Sequence, residues 1–486
     1  MASQAGKDTL LRLIREGKPL SFGQQLQLTF TLSLPAILAN ASAMVMQFID
    51  AAMVGQLGAD DSASVGLMGS TNWLFEGVLS AFAAGYAVQV AHLLGAKRNA
   101  DARQVVRQAI VVCLLFSGLL AGLGLLLCKP LPVWLGAEAH IRSNATIYFG
   151  TFMLFVPFFM VDIVASSMLR SSGNMRVPSA LKILMCVLDV IFNFLFIFPT
   201  REISLLGHPV TMPGAGLGVM GAALATILCQ TLAAALVLAV LMKSRESYRL
   251  EPAKIRISRE YLRRILKIGI PAMLQSMTYS VTNVILQVVV NGFGTAYVAG
   301  WAACAKGDQL FWMLTQSFGI AVTTFVGQNY GAGHYQRVRK CIRQGFLIET
   351  ILTLACVAFL WTATGLILSL FTTDKEVFDL AFGMMHFFIP CYVTWICNEI
   401  ISSTLRGLGD SIFPMIISIS GVCVFRIVWV LTAVRIWPQF RTIMLSYPIS
   451  WVLTSVLLVL YFSLVWMRSG RLKGIERPAG QKAPVW

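Results

Sequence analysis

Residues 108–128 read QAIVVCLLFSGLLAGLGLLLC, a run of 21 positions without one charged side chain. As a helix rising 1.5 Å per residue, it spans roughly 30 Å, the thickness of a bilayer's hydrocarbon core. Similar runs recur along the chain. Setting apolar stretches against polar breaks predicts twelve spans, near residues 27–56, 64–95, 108–128, 145–169, 178–198, 216–242, 267–291, 296–329, 345–371, 380–405, 412–434 and 444–467. Composition agrees: 57% of the 486 residues are hydrophobic and 12% charged, where soluble globular chains carry about a quarter charged. Length here counts helices, not soluble domains.

An even number of spans puts both termini on one side, so the loops fall into two sets. On the terminus side lie 30 of the 38 Lys and Arg. The other side holds Lys129, Arg142, Arg201, Lys375, Arg435 and Arg441, while Lys306 and Arg426 fall within spans. The positive-inside rule then predicts cytoplasmic termini. It also explains the net charge of +16, because anionic headgroups attract basic loops. No nucleic-acid partner is expected. Residues 1–25 mix Lys7, Arg12, Arg15 and Lys18 with Leu10, Leu11, Leu13 and Ile14, which reads as an amphipathic segment on the cytoplasmic surface and not a signal peptide. The ten cysteines show no CxxC pair, and seven of them lie inside apolar runs, as small packing residues do.

A basic stretch over 243–266 divides the spans six and six, and a shift of 236 residues superposes the halves. Pro35 meets Pro271, Gly58 meets Gly294, Gly95-Ala96 meets Gly331-Ala332, Gln108 meets Gln344, Leu169-Arg170 meets Leu405-Arg406, Gly173 meets Gly409, and Pro178 meets Pro414. The expected fold is all-α: twelve transmembrane helices in two pseudo-twofold-related six-helix bundles, 26–242 and 267–467, followed by a cytoplasmic tail, 468–486. Parallel repeats of this kind characterise carriers whose substrate site lies near the membrane midplane.

A carboxylate inside a bilayer needs a proton, a partner or water. Seven acids fall in spans: Asp50, Glu76, Asp162, Asp189, Asp308, Glu349 and Glu399. Glu349, about two turns from the cytoplasmic edge, is expected to reach water. Asp50 has no basic neighbour in sequence and is a candidate proton or sodium site; its alternative is a carboxyl hydrogen-bonded to a neighbouring helix. Asp189 and Asn193 sit four apart on one helix face, where their oxygens could complete a hard-cation site or serve as interhelical glue. Lys306 and Asp308 are two apart and face differently, so each should meet partners on other helices. Arg426 is expected to face Glu399 or Asp308, more as a structural ion pair than in coupling. Asp162, Lys306, Asp308, Glu399, Arg426 and Tyr279 are the candidates for lining a substrate cavity or gating it.

Enzyme signatures are missing. Gly216-Leu-Gly-Val-Met-Gly221 follows a Pro-rich exterior loop and opens an apolar span, so it reads as a small-residue packing face and not a dinucleotide turn. Without a Walker A loop, HExxH or GxSxG, no cofactor is expected and ion coupling is the default. A carrier of lipid-linked precursors is an alternative, but it needs cations for phosphates, and Lys306 and Arg426 alone lie within spans. A membrane-embedded enzyme or receptor is another; the five scattered histidines do not suit it.

The chain resembles multidrug and toxic compound extrusion (MATE) exporters over about residues 25–467. The resemblance rests on Pro35, Asp50-Ala-Ala-Met-Val-Gly-Gln-Leu-Gly58, Gly95-Ala96, Val326-Gly-Gln-Asn-Tyr-Gly-Ala332 and Leu405-Arg-Gly-Leu-Gly-Asp410. It implies export of organic cations or other xenobiotics across a bacterial inner membrane in exchange for H⁺ or Na⁺, and the chain is expected to act as a monomer. By motif it also implies an ion-coupling set of Asp50, Asp189, Asn193 and Thr226. Two departures stand out. Relatives place Asn first and Asp four later on span 5, the reverse of Asp189 and Asn193. Relatives coupled through the C-terminal half carry an acid where this chain has Tyr279, which points the coupling to the N-terminal half.

Overall fold

The computed structural model describes residues 22–205, 208–244, 249–250, 257–468 and 472. The expected surface segment over 1–25, nearly all of the tail and part of the basic linker thus lie largely outside the described residues. Among those described, twelve helices are long and apolar enough to cross a membrane. They are α1 (Phe22–Gly55), α2 (Ala59–Gly95), α3 (Asn99–Leu127), α4 (Arg142–Ser171), α5 (Arg176–Ile197), α6 (Gly218–Lys243), α7 (Arg259–Asn291), α8 (Thr295–Gly331) and α9 (Tyr335–Ser369). The last three are α10 (Lys375–Gly407), α11 (Ile412–Ile436) and α12 (Phe440–Arg468). Each falls on a predicted span, because a long apolar run has no other way to satisfy its backbone in lipid.

Two compact units emerge. One holds residues 34–90 and 99–263, the other 1–33, 91–98 and 264–486. In the first, α4 packs on α3 and α6, burying Phe149, Met153, Val156, Met160 and Val164 completely. Gly124 of α3 lies directly beneath Met153, whose sulfur would sit 2.3 Å from an added Cβ. In the second, α8 is the central helix, packed on α9 and α10. Its core is aromatic: Phe311 stacks on Tyr392 at 4.1 Å between ring centroids, and Trp312, Trp395 and Trp451 meet edge to face around them.

The repeat is visible in the helix ends. Glycine takes up positive φ without a Cβ clash, and Gly58 and Gly294 (φ 131° and 104°) and Gly173 and Gly409 (89° and 85°) do so as pairs 236 residues apart. The α4 and α10 exits close alike, with the Asn174 amide donating to the Leu169 carbonyl and that of Asp410 to the Leu405 carbonyl, the Schellman closure. At the α2 and α8 exits the same closure links Arg98 to Leu93 and His334 to Asn329. There Gly333 (φ 77°) has Lys97 (φ 57°) as its counterpart, the single non-glycine at positive φ among the described residues.

Departures from uniform helix have local causes. Pro390 lacks an amide hydrogen, and α10 passes through a 3-10 turn at Tyr392–Trp395 just beyond it. A π-helical turn occupies Ile419–Val424 in α11 and another Phe462–Arg468 in α12. The loop expected before Gly216 is instead an antiparallel hairpin of β1 (Pro199–Leu205) and β2 (His208–Ala215). Its three prolines hid it; a ribbon of two strands has two free edges, where proline is tolerated. Gly221 confirms its packing role, since a Cβ there would meet the Phe196 carbonyl oxygen at 2.5 Å.

Candidate functional site

Asp50 and Asn193 meet between α1 and α5 in the first unit. The Asn193 side-chain amide donates from Nδ2 to Asp50 Oδ1 at 2.7 Å and to Asp189 Oδ2 at 3.0 Å. One nitrogen therefore ties two carboxyl groups together. Asp189 and Asn193 are each 1% exposed and lie one turn apart on the α5 face turned inward, as the four-residue spacing requires. Thr226 and Cys229 of α6 stand close to Asp189, as does Asp50 itself, and Tyr148 of α4 is near both acids. The Thr226 hydroxyl donates to the Ala222 carbonyl at 3.3 Å.

Two oxygens remain. Asp189 Oδ1 and Asn193 Oδ1 are buried with no hydrogen-bond partner. Buried acceptors without a donor are costly, and paired carboxyls cannot both ionise without a proton or cation between them. The carboxyl and amide oxygens of this group suit H⁺ or a hard cation such as Na⁺. The four residues singled out from sequence thus come together. Tyr148 and Cys229 were missed, having no spacing signal to the acids.

A second polar group in the same unit was only half legible. Lys182, inside the predicted span 178–198 but counted with the basic residues of the loops, lies within α5, and its Nζ donates to Asn40 of α1 at 3.2 Å. Arg170 and Asp162 of α4 and Glu76 of α2 surround it closely enough to interact, and the Ser166 hydroxyl donates to Asp162 at 3.2 Å. The expectation that Lys306 and Arg426 alone supply cations within the helices is thereby corrected.

The other candidates are dispersed through the second unit. Asp308 accepts from the Tyr392 hydroxyl, while Lys306, two residues away, is exposed. Arg426 does not face Glu399 or Asp308: its Nε donates to Ser450 at 2.9 Å and its guanidinium lies 3.9 Å from the Tyr447 ring centroid. The aromatic ring supplies the negative face that a carboxylate was expected to provide. Glu399 pairs within its own helix, to Arg406 at 3.4 Å and Ser403 at 2.8 Å. Tyr279 accepts from Gln275 at 3.3 Å. Glu349, expected to reach water, is fully buried, because α9 turns that face onto α8 and α10.

A family model described as MatE matches the chain twice, at residues 35–195 and 271–432. The two matches begin at Pro35 and Pro271, the repeat offset found in the sequence. The chain belongs to the MatE family. Among its relatives is a probable multidrug resistance protein NorM from Thermotoga maritima, 25% identical over 82% of this chain and 83% of that protein. Another is the probable multidrug resistance protein YoeA of Bacillus subtilis, 23% identical over 89% of this chain and 92% of that one. The fold is that of a transporter of the MOP superfamily from Pyrococcus furiosus, at TM-score 0.84 and 20% identity over 94% of this chain and all of the other. An outward-facing MATE family multidrug resistance transporter matches at TM-score 0.83, also with 20% identity and the same coverage. As a MatE protein this chain is a multi-pass membrane transporter and not an enzyme.

Proposed function

We propose that this MatE protein is a secondary exporter of organic cations or other xenobiotics, driven by H⁺ or Na⁺ that enters through the Asp50, Asp189 and Asn193 group. Relatives named as multidrug resistance proteins support the substrate class. The observation that carries the coupling is the single Asn193 amide joining two carboxyl groups beside two unpartnered oxygens. A group so arranged changes its net charge when it takes up an ion, and that change alters which membrane face the substrate reaches. Both termini lie in the cytoplasm on this reading, and the chain acts as a monomer.

Carriage of a lipid-linked phosphate would call for surplus cations. Here Lys182 and Arg170 are offset by Asp162 and Glu76 in the same group, which favours the exporter. The test is efflux of a fluorescent cationic dye from proteoliposomes under proton and sodium gradients imposed separately. Asp50→Asn should remain folded and lose gradient-driven efflux at least tenfold; wild-type rates would refute the assignment.

A further inference from the structure

The second unit buries an acid that the Asp50 group does not use. Glu349 of α9 is 0% exposed, and neither of its carboxyl oxygens has a hydrogen-bond partner. The same helix face carries Thr353 one turn on, also fully buried with its hydroxyl unpartnered, and Asn398 of α10 is buried with its Nδ2 unpartnered. An ionised carboxylate held away from water without a cation or a donor costs several kcal/mol or more.

The surrounding charges sharpen the point. From α10, Glu399 lies close enough for its charge to bear on Glu349, and it is itself held by Arg406 and Ser403. Arg406 also donates to Ser403 at 2.9 Å, so the one nearby cation is committed. From α8, Gly319 opposes the group: a Cβ there would lie 2.0 Å from Glu399 Oε1, so the missing side chain is what admits the acid. On α9, Cys356 senses Glu349, and Asp308 of α8 bears on that cysteine and not on Glu349. No cation among the described residues faces Glu349.

We infer that Glu349 is a second proton-binding site, neutral in this conformation, which exchanges its proton with water when the α9 face moves off α10. The inference deepens the ion-coupled reading and places a second coupling proton in the half without the Asp50 group. Glu399, held by Arg406 and Ser403, is the acid beside it that already has partners.

Infrared spectroscopy of the purified full-length protein tests this directly. The wild type should show a carboxylic acid C=O band that is absent from Glu349→Gln and that disappears reversibly as pH is raised. Glu349→Met, which keeps the volume and drops the amide, guards against misfolding and should also lack the band. In proteoliposomes both variants should move fewer protons per substrate than the wild type. A missing wild-type band, a band that responds to sodium and not to pH, or one that persists until the protein unfolds would overturn the inference. So would an unchanged proton-to-substrate ratio. The band requires no transport, so failure of the Asp50 assignment in the efflux assay would leave this result legible on its own.

Discussion

Gly95 and Gly331 pack reciprocally in the second unit. A Cβ on Gly95 would approach the Gln328 carbonyl oxygen to 2.0 Å, and one on Gly331 the His92 carbonyl oxygen to 2.2 Å. All four residues obey the 236-residue offset, so the C-terminal ends of α2 and α8 cross at equivalent positions. His92 adds a bond beside the crossing, with Nε2 2.7 Å from the Gly407 carbonyl oxygen, and Tyr330 lies against its ring.

Alanine at Gly95 or Gly331 must push backbone from backbone, because no flexible side chain is there to yield. Each variant should lose about 1–3 kcal/mol of stability, the usual penalty for overpacking. Gly118→Ala, with open space around its Cβ, should hold or gain about 0.5–1 kcal/mol. Thermal unfolding in detergent, followed by size-exclusion fluorescence, compares the three.

Lys97 holds a conformation that its counterpart Gly333 adopts freely. A side chain in the left-handed region costs about 1–2 kcal/mol, so Lys97→Gly should raise the melting temperature. An unchanged or lowered value would show that the lysine side chain repays the strain by contacts of its own.

Asn193→Ala removes the one donor shared by Asp50 and Asp189. Hydrogen bonds to charged groups contribute about 1.5–3 kcal/mol, so both ion-driven efflux and stability should fall. If efflux alone falls in Asn193→Asp, a third acid in the group has spoiled the ion site without loosening the helices. Dye efflux and melting temperature, measured on the same preparations, separate the two effects.

Arg426→Lys keeps the charge but gives up the flat stack on Tyr447 and the directed bond to Ser450. The loss should be about 1–2 kcal/mol, as for a stacked guanidinium replaced by an ammonium. Coupled efflux per folded molecule should stay near wild type. A variant that is fully stable but transports poorly would move Arg426 from packing into the transport path.

How much of this was legible in the sequence depends on the range of the signal. Span positions and the repeat follow from hydropathy and from glycines such as Gly58 and Gly173, whose backbone needs are local. Asp50, Asp189 and Asn193 were readable because a polar group in lipid must have a reason to be there, and because a spacing of four fixes a face. Arg426 was misplaced because an aromatic face substituted for an acid, and aromatic residues are too common in this chain to flag one. Glu349 was misread because depth along a helix says nothing about which side the neighbouring helices cover. Lys182 was legible as well, since the predicted span 178–198 encloses it, but it was counted with the basic residues of the loops.

The π turn in α11 bears on the ancestry of the chain. A π turn is where a helix absorbs one extra residue, and one lies at Ile419–Val424. With the surplus placed at Ile419–Val424, the residue in α11 that corresponds to Asp189 is Arg426. The same buried position thus carries an acid in one half and a base in the other. One copy holds an acid tied to Asn193 and the other a guanidinium set against the Tyr447 ring, so a doubled sequence carries unlike chemistry at one position.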